Sequence, residues 1–206
     1  MTDAAKDNAI ACLGWGSLVW DPRDLPCRGG WHNDGPLLPI EFARASGGKK
    51  SDPAEKITLV ICPDRPRVRT YWTLLDVADV KVARERLAVR EYADATAGWT
   101  ETNTGFWDRA TGKSHGLEAD TIAAWASAVG LAAVVWTNLE FGFKPSRGVM
   151  PSGADVIAFL RALDAAKQPE AEGYVRQAPA QIDTPYRRLI EHELGWLRRG
   201  SSVPDA

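Results

Sequence analysis

The sequence predicts an α+β fold in which a mixed, mostly antiparallel sheet precedes a helical C-terminal segment. Three observations carry this. The first half holds short apolar or β-branched runs at residues 9–13, 57–61 (ITLVI) and 68–75 (VRTYWTLL), joined by polar loops before any long helical pattern. Strands in that arrangement argue for antiparallel pairing and against a βαβ array. The last third, in contrast, reads as consecutive helices. The number of strands by itself allows either an open sheet or a closed barrel.

The bounds are those of a globular chain. Its 206 residues, 45% apolar and 25% charged, suit a single domain spanning 1–206, with a core over 8–145 and C-terminal helices over 146–206 packed on it. A net charge of −2 gives no electrostatic footprint for nucleic acid, the short cluster Arg65, Arg67 and Arg69 being too small to reverse that. No run approaches the length of a membrane span, and residues 1–8 lack the apolar region of a secretory signal, so no membrane partner is expected. The three cysteines, Cys12, Cys27 and Cys62, are odd in number and widely spaced, which suits a reducing, cytoplasmic setting. Cys12 and Cys62 sit in or beside apolar runs and read as small core residues. The histidines, His32, His115 and His192, are equally scattered, and no zinc-ligand spacing occurs. Cys27 and His32 could be cast as nucleophile and base, but sequence proximity does not supply the geometry that such a pair needs.

Taken in order, the run at 9–13 reads as a buried strand that breaks on Gly14-Trp15-Gly16-Ser17. Two glycines one residue apart permit positive φ and close approach, so the turn can leave backbone N–H groups open to a carboxylate or an oxyanion. Residues 31–39 read as a loop, 40–44 as a half-buried strand, and 47–56 as a polar connector. The first helix runs from about 77 to 92, with Asp76 as N-cap, or Asp79 if it starts later. At about 100° per residue Val77, Val80, Ala83 and Leu87 share one face, and Glu91 continues it. A carboxylate on such a stripe costs several kcal/mol to bury unless paired or neutral, which marks Glu91 for a raised pKa and proton transfer. The alternative is a surface glutamate paired with Arg84 or a neighbour.

Residues 97–112 read as loop and strand, 118–129 as a helix closed by Gly130, and 131–137 as the last strand. Residues 138–151 form a long Gly/Pro loop whose Phe141 and Phe143 could flank a pocket; Glu140 in it is a second candidate carboxylate. Helices follow over 154–166, where Pro169 breaks the pattern, over 170–177, and over 184–197 with Thr184 as N-cap and Pro185 at N1. The last helix carries a stripe of Tyr186, Ile190, Leu194 and Leu197, and residues 201–206 are expected to fray.

Two strings resemble a known family. Residues 13–20, LGWGSLVW, resemble the F-G-Y-G-S-L-[IM]-W opening of the ChaC-type γ-glutamylcyclotransferases, with Trp15 in place of that family's tyrosine. Residues 87–91, LAVRE, resemble its later L-x-x-R-E string, in the same order along the chain. The resemblance implies a small mixed β-barrel flanked by helices. It implies that Trp15, Gly16, Ser17 and Leu18 hold a γ-glutamyl group, and that Glu91 is the catalytic acid and base. It also implies a small γ-glutamyl substrate, 5-oxoproline as product, and no metal or organic cofactor. A non-catalytic binding or protein-interaction module on the same fold is the alternative, and the departure at Trp15 is the feature that favours it.

Overall fold

The computed structural model describes residues 8–47 and 54–199. In chain order the elements are β1 (Ile10–Gly14), the single turn α1 (Ser17–Trp20), β2 (Cys27–His32), β3 (Leu37–Leu38), β4 (Ile40–Ser46), β5 (Lys56–Ile61), β6 (Val68–Arg69) and β7 (Tyr71–Leu75). Then follow α2 (Val80–Glu91), α3 (Ala97–Asn103), β8 (Thr104–Asp108), β9 (Lys113–His115), α4 (Ala119–Val129), β10 (Ala133–Thr137), α5 (Gly153–Arg161), α6 (Gln168–Gln177) and α7 (Pro185–Leu194).

The fold is mixed α+β, and its main sheet has the order β2-β7-β1-β10-β8-β9. Every pairing in it is antiparallel except that of β1 with β10. The sheet is open, with β2 and β9 as edges, and not the closed barrel that the family resemblance implies. The reason is in the pairing: β3 pairs with β6 and β4 with β5 as separate ribbons, so among the described residues nothing bridges the two edges.

The apolar runs are continuous because the central strands are covered on both faces. Ala11 and Leu13 of β1, Trp72 and Leu74 of β7, and Val134 and Trp136 of β10 enter the larger core, under β4, β5 and the C-terminal helices. Their neighbours in sequence, Ile10 and Cys12, Tyr71 and Leu75, Ala133 and Val135, point the other way, into a second core beneath α1 and α2. Cys12 and Cys62 are buried as expected.

Several boundaries move for identifiable reasons. The run at 68–75 is two strands, because Thr70 exchanges backbone hydrogen bonds with Gly35 (3.0 Å) and Pro36 (3.2 Å) and the chain changes partners there. Residues 27–32, of which 31 and 32 read as the start of a loop, are an edge strand irregularly paired to β7. Residues 97–103 are helical, capped by the Thr96 hydroxyl, which accepts from the Trp99 N–H at 3.2 Å. α2 starts late, at the second of the two candidate caps: Asp79 accepts from the Val82 N–H at 2.9 Å. Gly130 closes α4 in the left-handed conformation, φ 86°. α5 ends at Arg161, and Pro169 lies in the first turn of α6 rather than breaking a helix. α7 stops at Gly195, so Leu197 leaves the packing stripe and is exposed. Residues 201–206 lie outside the described residues. None of the described helices is long and apolar enough to cross a membrane.

A buried carboxylate ties α7 to the β4–β5 ribbon. Glu41 on β4 has no exposure; it accepts from the Thr184 hydroxyl (2.5 Å), the Phe42 N–H (2.9 Å) and the Tyr186 N–H (3.3 Å), with Arg65 at 3.5 Å. Burial raises its pKa above the ordinary 4.5, and these donors oppose that rise only in part. The folded state therefore takes up this proton at higher pH than the unfolded chain, so its contribution is complete below 4.5 and is lost as pH rises through the folded value. Relative to Glu41→Gln, the wild type is expected to gain stability as pH falls from neutral toward 4.5, read from urea unfolding of both proteins. An unchanged difference would show that Glu41 does not titrate in this range.

Candidate active site

The site forms where the parallel neighbours β1 and β10 both end. Strand ends on one side of an open sheet leave a crevice there, and here it deepens into a cavity of about 510 Å³, the size of a small-molecule site. Leu13 to Leu18 form one wall, the C-terminal end of α2 a second, and β4, β5 and the loop after β10 a third.

The Gly-Trp-Gly-Ser turn works differently from expectation. Neither Gly14 nor Gly16 has positive φ; what the positions require is room. A Cβ on Gly14 would stand 2.6 Å from the Trp31 ring, and one on Gly16 2.5 Å from the Tyr174 hydroxyl. That hydroxyl is fixed by the Leu59 N–H at 3.3 Å and interacts with the Ser17 N–H, and burial pushes its pKa upward. Gly16→Ala is therefore expected to cost about 1–3 kcal/mol by overpacking, a fall in Tm of roughly 3–9 °C. Adding Tyr174→Phe, which deletes the clashing oxygen, is expected to restore most of it; a double variant no better than the single one would place the strain elsewhere. A short helix, α1, follows the turn where none was expected, and Ser17 and Leu18 are its first residues.

Trp15 lines the cavity but its indole is spoken for: it is 3% exposed and its Nε1–H donates to the Leu59 carbonyl at 3.3 Å. The departure from tyrosine thus anchors the turn to β5. Leu18 turns its side chain into the second core.

Glu91 is the last residue of α2 and borders the cavity, its side chain 19% exposed. Its partner is not Arg84, which donates to the Thr104 hydroxyl (2.9 Å) and lies over the Phe106 ring. It is Arg90, whose side chain is only 4% exposed. One end of that guanidinium donates to Glu91 Oε1 at 2.7 Å; the other reaches Ser17 Oγ at 3.2 Å and the Asp21 carbonyl at 2.5 Å. Arg90 thus joins the two strings that the sequence singles out, and residues 74 positions apart meet on one fork.

Other candidates fall away or change role. Glu140 is exposed and outside the cavity lining. Phe141 packs against the cluster of Ala43, Val60 and Cys62, and Phe143 against Phe159, while Leu139, Lys144 and Arg147 of the same loop do line the cavity. His32 stacks on Trp72 at 4.3 Å, and burial raises the Cys27 thiol, which is no nucleophile–base pair. Arg65, Arg67 and Arg69 are spent on Glu41, Glu118 and the Gly35 carbonyl. Arg90 was legible only as part of LAVRE; Tyr174, Arg44 and Arg147 carry no local signal at all.

No family model, curated protein or solved structure matches this chain.

Proposed function

We propose that this chain is a divergent γ-glutamylcyclotransferase-like enzyme of the ChaC type, releasing 5-oxoproline from a γ-glutamyl peptide or amine in the cytoplasm. Its open sheet is then a variant of that family's fold. The observation that carries the reading is the single guanidinium of Arg90 holding Ser17 and Glu91 together on the wall of one cavity.

The chemistry asks little beyond placement. The α-nitrogen of the substrate forms a bond to its own γ-carbon, closing a five-membered lactam, and the bond from that carbon to the leaving amine breaks. Nucleophile and electrophile belong to one molecule, so holding the folded conformer supplies much of the rate. The α-ammonium gives up a proton and the leaving amine receives one; Glu91 performs both transfers. The N–H groups of the turn other than those of Ser17 and Val19, which are engaged by Tyr174 and the Gly16 carbonyl, hold with the Ser17 hydroxyl the polar end of the γ-glutamyl group and the developing oxyanion. No metal or organic cofactor is required for these steps.

The test is 5-oxoproline release from glutathione and a panel of γ-glutamyl amino acids and amines, with Glu91→Gln alongside. Release by the wild type supports the reading. The ion pair that already occupies Glu91 favours a second one, a non-catalytic binding or protein-interaction module. Ligand binding without turnover across the panel would select it.

A further inference from the structure

The cavity carries more positive charge than the cyclisation uses. Besides Arg90, its lining includes Arg23, Arg44, Lys56, Lys144 and Arg147, against the carboxylate of Glu91 among the described residues. The chain as a whole has a net charge of −2, so this is a local concentration. Lys56 pairs with Glu170, and Arg23 with Asp21 and the Arg90 carbonyl.

Arg44 and Arg147 are placed differently. The loop after β10 docks along β4, the Gly142 N–H donating to the Ala43 carbonyl at 2.7 Å. In this register Gly142 bridges Arg44 on one side and Arg147 on the other. Gly142 has φ 95°, and a Cβ there would stand 2.6 Å from the Val149 carbonyl, so this docking of the loop requires glycine. Arg147 donates to the Gly142 carbonyl and, at 2.6 Å, to the Ala45 carbonyl; Arg44 donates to the Glu140 carbonyl. Every one of these hydrogen-bond acceptors is a neutral carbonyl, while the Glu140 carboxylate acts on both guanidiniums from outside the cavity lining. Burial, and next the charge of Arg147, bring the Arg44 pKa down to about 10, with Glu140 and Glu91 acting in the opposite sense. Two half-buried like charges that face a cavity are costly when empty and favourable when an anion lies against both. Guanidinium forks suit such an oxyanion, because each offers paired N–H donors.

We propose that Arg44 and Arg147 form an anion subsite of this cavity, taking a carboxylate or phosphate group of the ligand. On the cyclotransferase reading, on which this consequence rests, the subsite holds an acidic group of the leaving amine, so acidic γ-glutamyl amides are preferred over neutral ones.

Inorganic phosphate and glutarate are the probes, titrated separately at low salt and followed by tryptophan fluorescence, since Trp15 and Trp99 line the cavity. One saturable site is expected for at least one probe, and the tighter of the two names the preferred oxyanion. Affinity is expected to fall at least about tenfold in Arg44→Gln and in Arg147→Gln, and to persist in Arg44→Lys, which keeps the charge. The exposed Lys113→Gln serves as control. Binding by neither probe, or equal binding in wild type and a folded Arg44→Gln, overturns the subsite. Equal turnover of γ-glutamylglycine and γ-glutamylglycinamide also overturns it while leaving the enzyme reading intact. Arginine-dependent anion binding without any 5-oxoproline release leaves the subsite standing and removes the enzyme reading.

Discussion

On the proposed cyclotransferase reading, Glu91→Gln is expected to lower the kcat for 5-oxoproline release by about 10³-fold, the middle of the range for a general acid–base group. The substitution is nearly isosteric and keeps an oxygen that can accept from Arg90 Nη1. The other bonds of Arg90, to Ser17 and to the Asp21 carbonyl, do not involve residue 91. The turn therefore stays in place, and KM is expected to change only a few-fold. What the amide cannot do is take a proton from the α-ammonium, so the loss falls on kcat. Steady-state kinetics with the best substrate of the panel separates the two parameters, and thermal unfolding checks the fold. A variant that turns over at the wild-type rate removes Glu91 from the mechanism. A loss confined to KM would make it a binding residue.

The parts of this fold that were legible in the sequence are those where burial is one-dimensional. β1, β5 and β10 read correctly because each is a short run with apolar neighbours above and below. β2 and α3 did not. CRGGWH has two glycines and no alternation, and its order comes from pairing with β7. AGWTETN is poor in helix formers and is held at its start by Thr96. The cavity divides in the same way. The turn and Glu91 were visible as strings, but Arg90 as the link between them needed the fold. Tyr174 lies 158 positions from Gly16 and reaches it only because α6 packs beside α1 and β5. Arg44 and Arg147 meet across a glycine in a docked loop, a relation that no local pattern records.

Arg187→Met is expected to lower the unfolding free energy by about 3–5 kcal/mol, the cost of removing one partner from a buried polar network. Arg187 has no exposure, yet its charge is surrounded by acceptors. Its Nη1 donates to the carbonyls of Pro179 (2.7 Å) and Ile182 (2.9 Å), and its Nη2 to that of Ala178 (2.6 Å), with the Val175 carbonyl at 3.5 Å. Those carbonyls belong to the end of α6 and the turn into α7, where helical geometry leaves acceptors without donors. Glu191 lies 3.3 Å from its Nε, is also held by Arg198, and supplies the compensating charge. Methionine fills much of the volume and supplies no donor, so these carbonyls lose their partner in the interior. Lysine keeps the charge but has a single ammonium for acceptors spread around a planar fork, and Arg187→Lys is expected to fall between wild type and Arg187→Met. Urea unfolding of the three proteins reads the order; a loss below about 1 kcal/mol in Arg187→Met would mean that water satisfies those carbonyls instead. The effect reaches the site through one helix. Arg187 secures the end of α6, α6 presents Tyr174, and Tyr174 sits against Gly16 and the Ser17 N–H. A variant that remains folded but has loosened this end of α6 is therefore expected to bind ligand more weakly at a cavity whose other walls it does not touch.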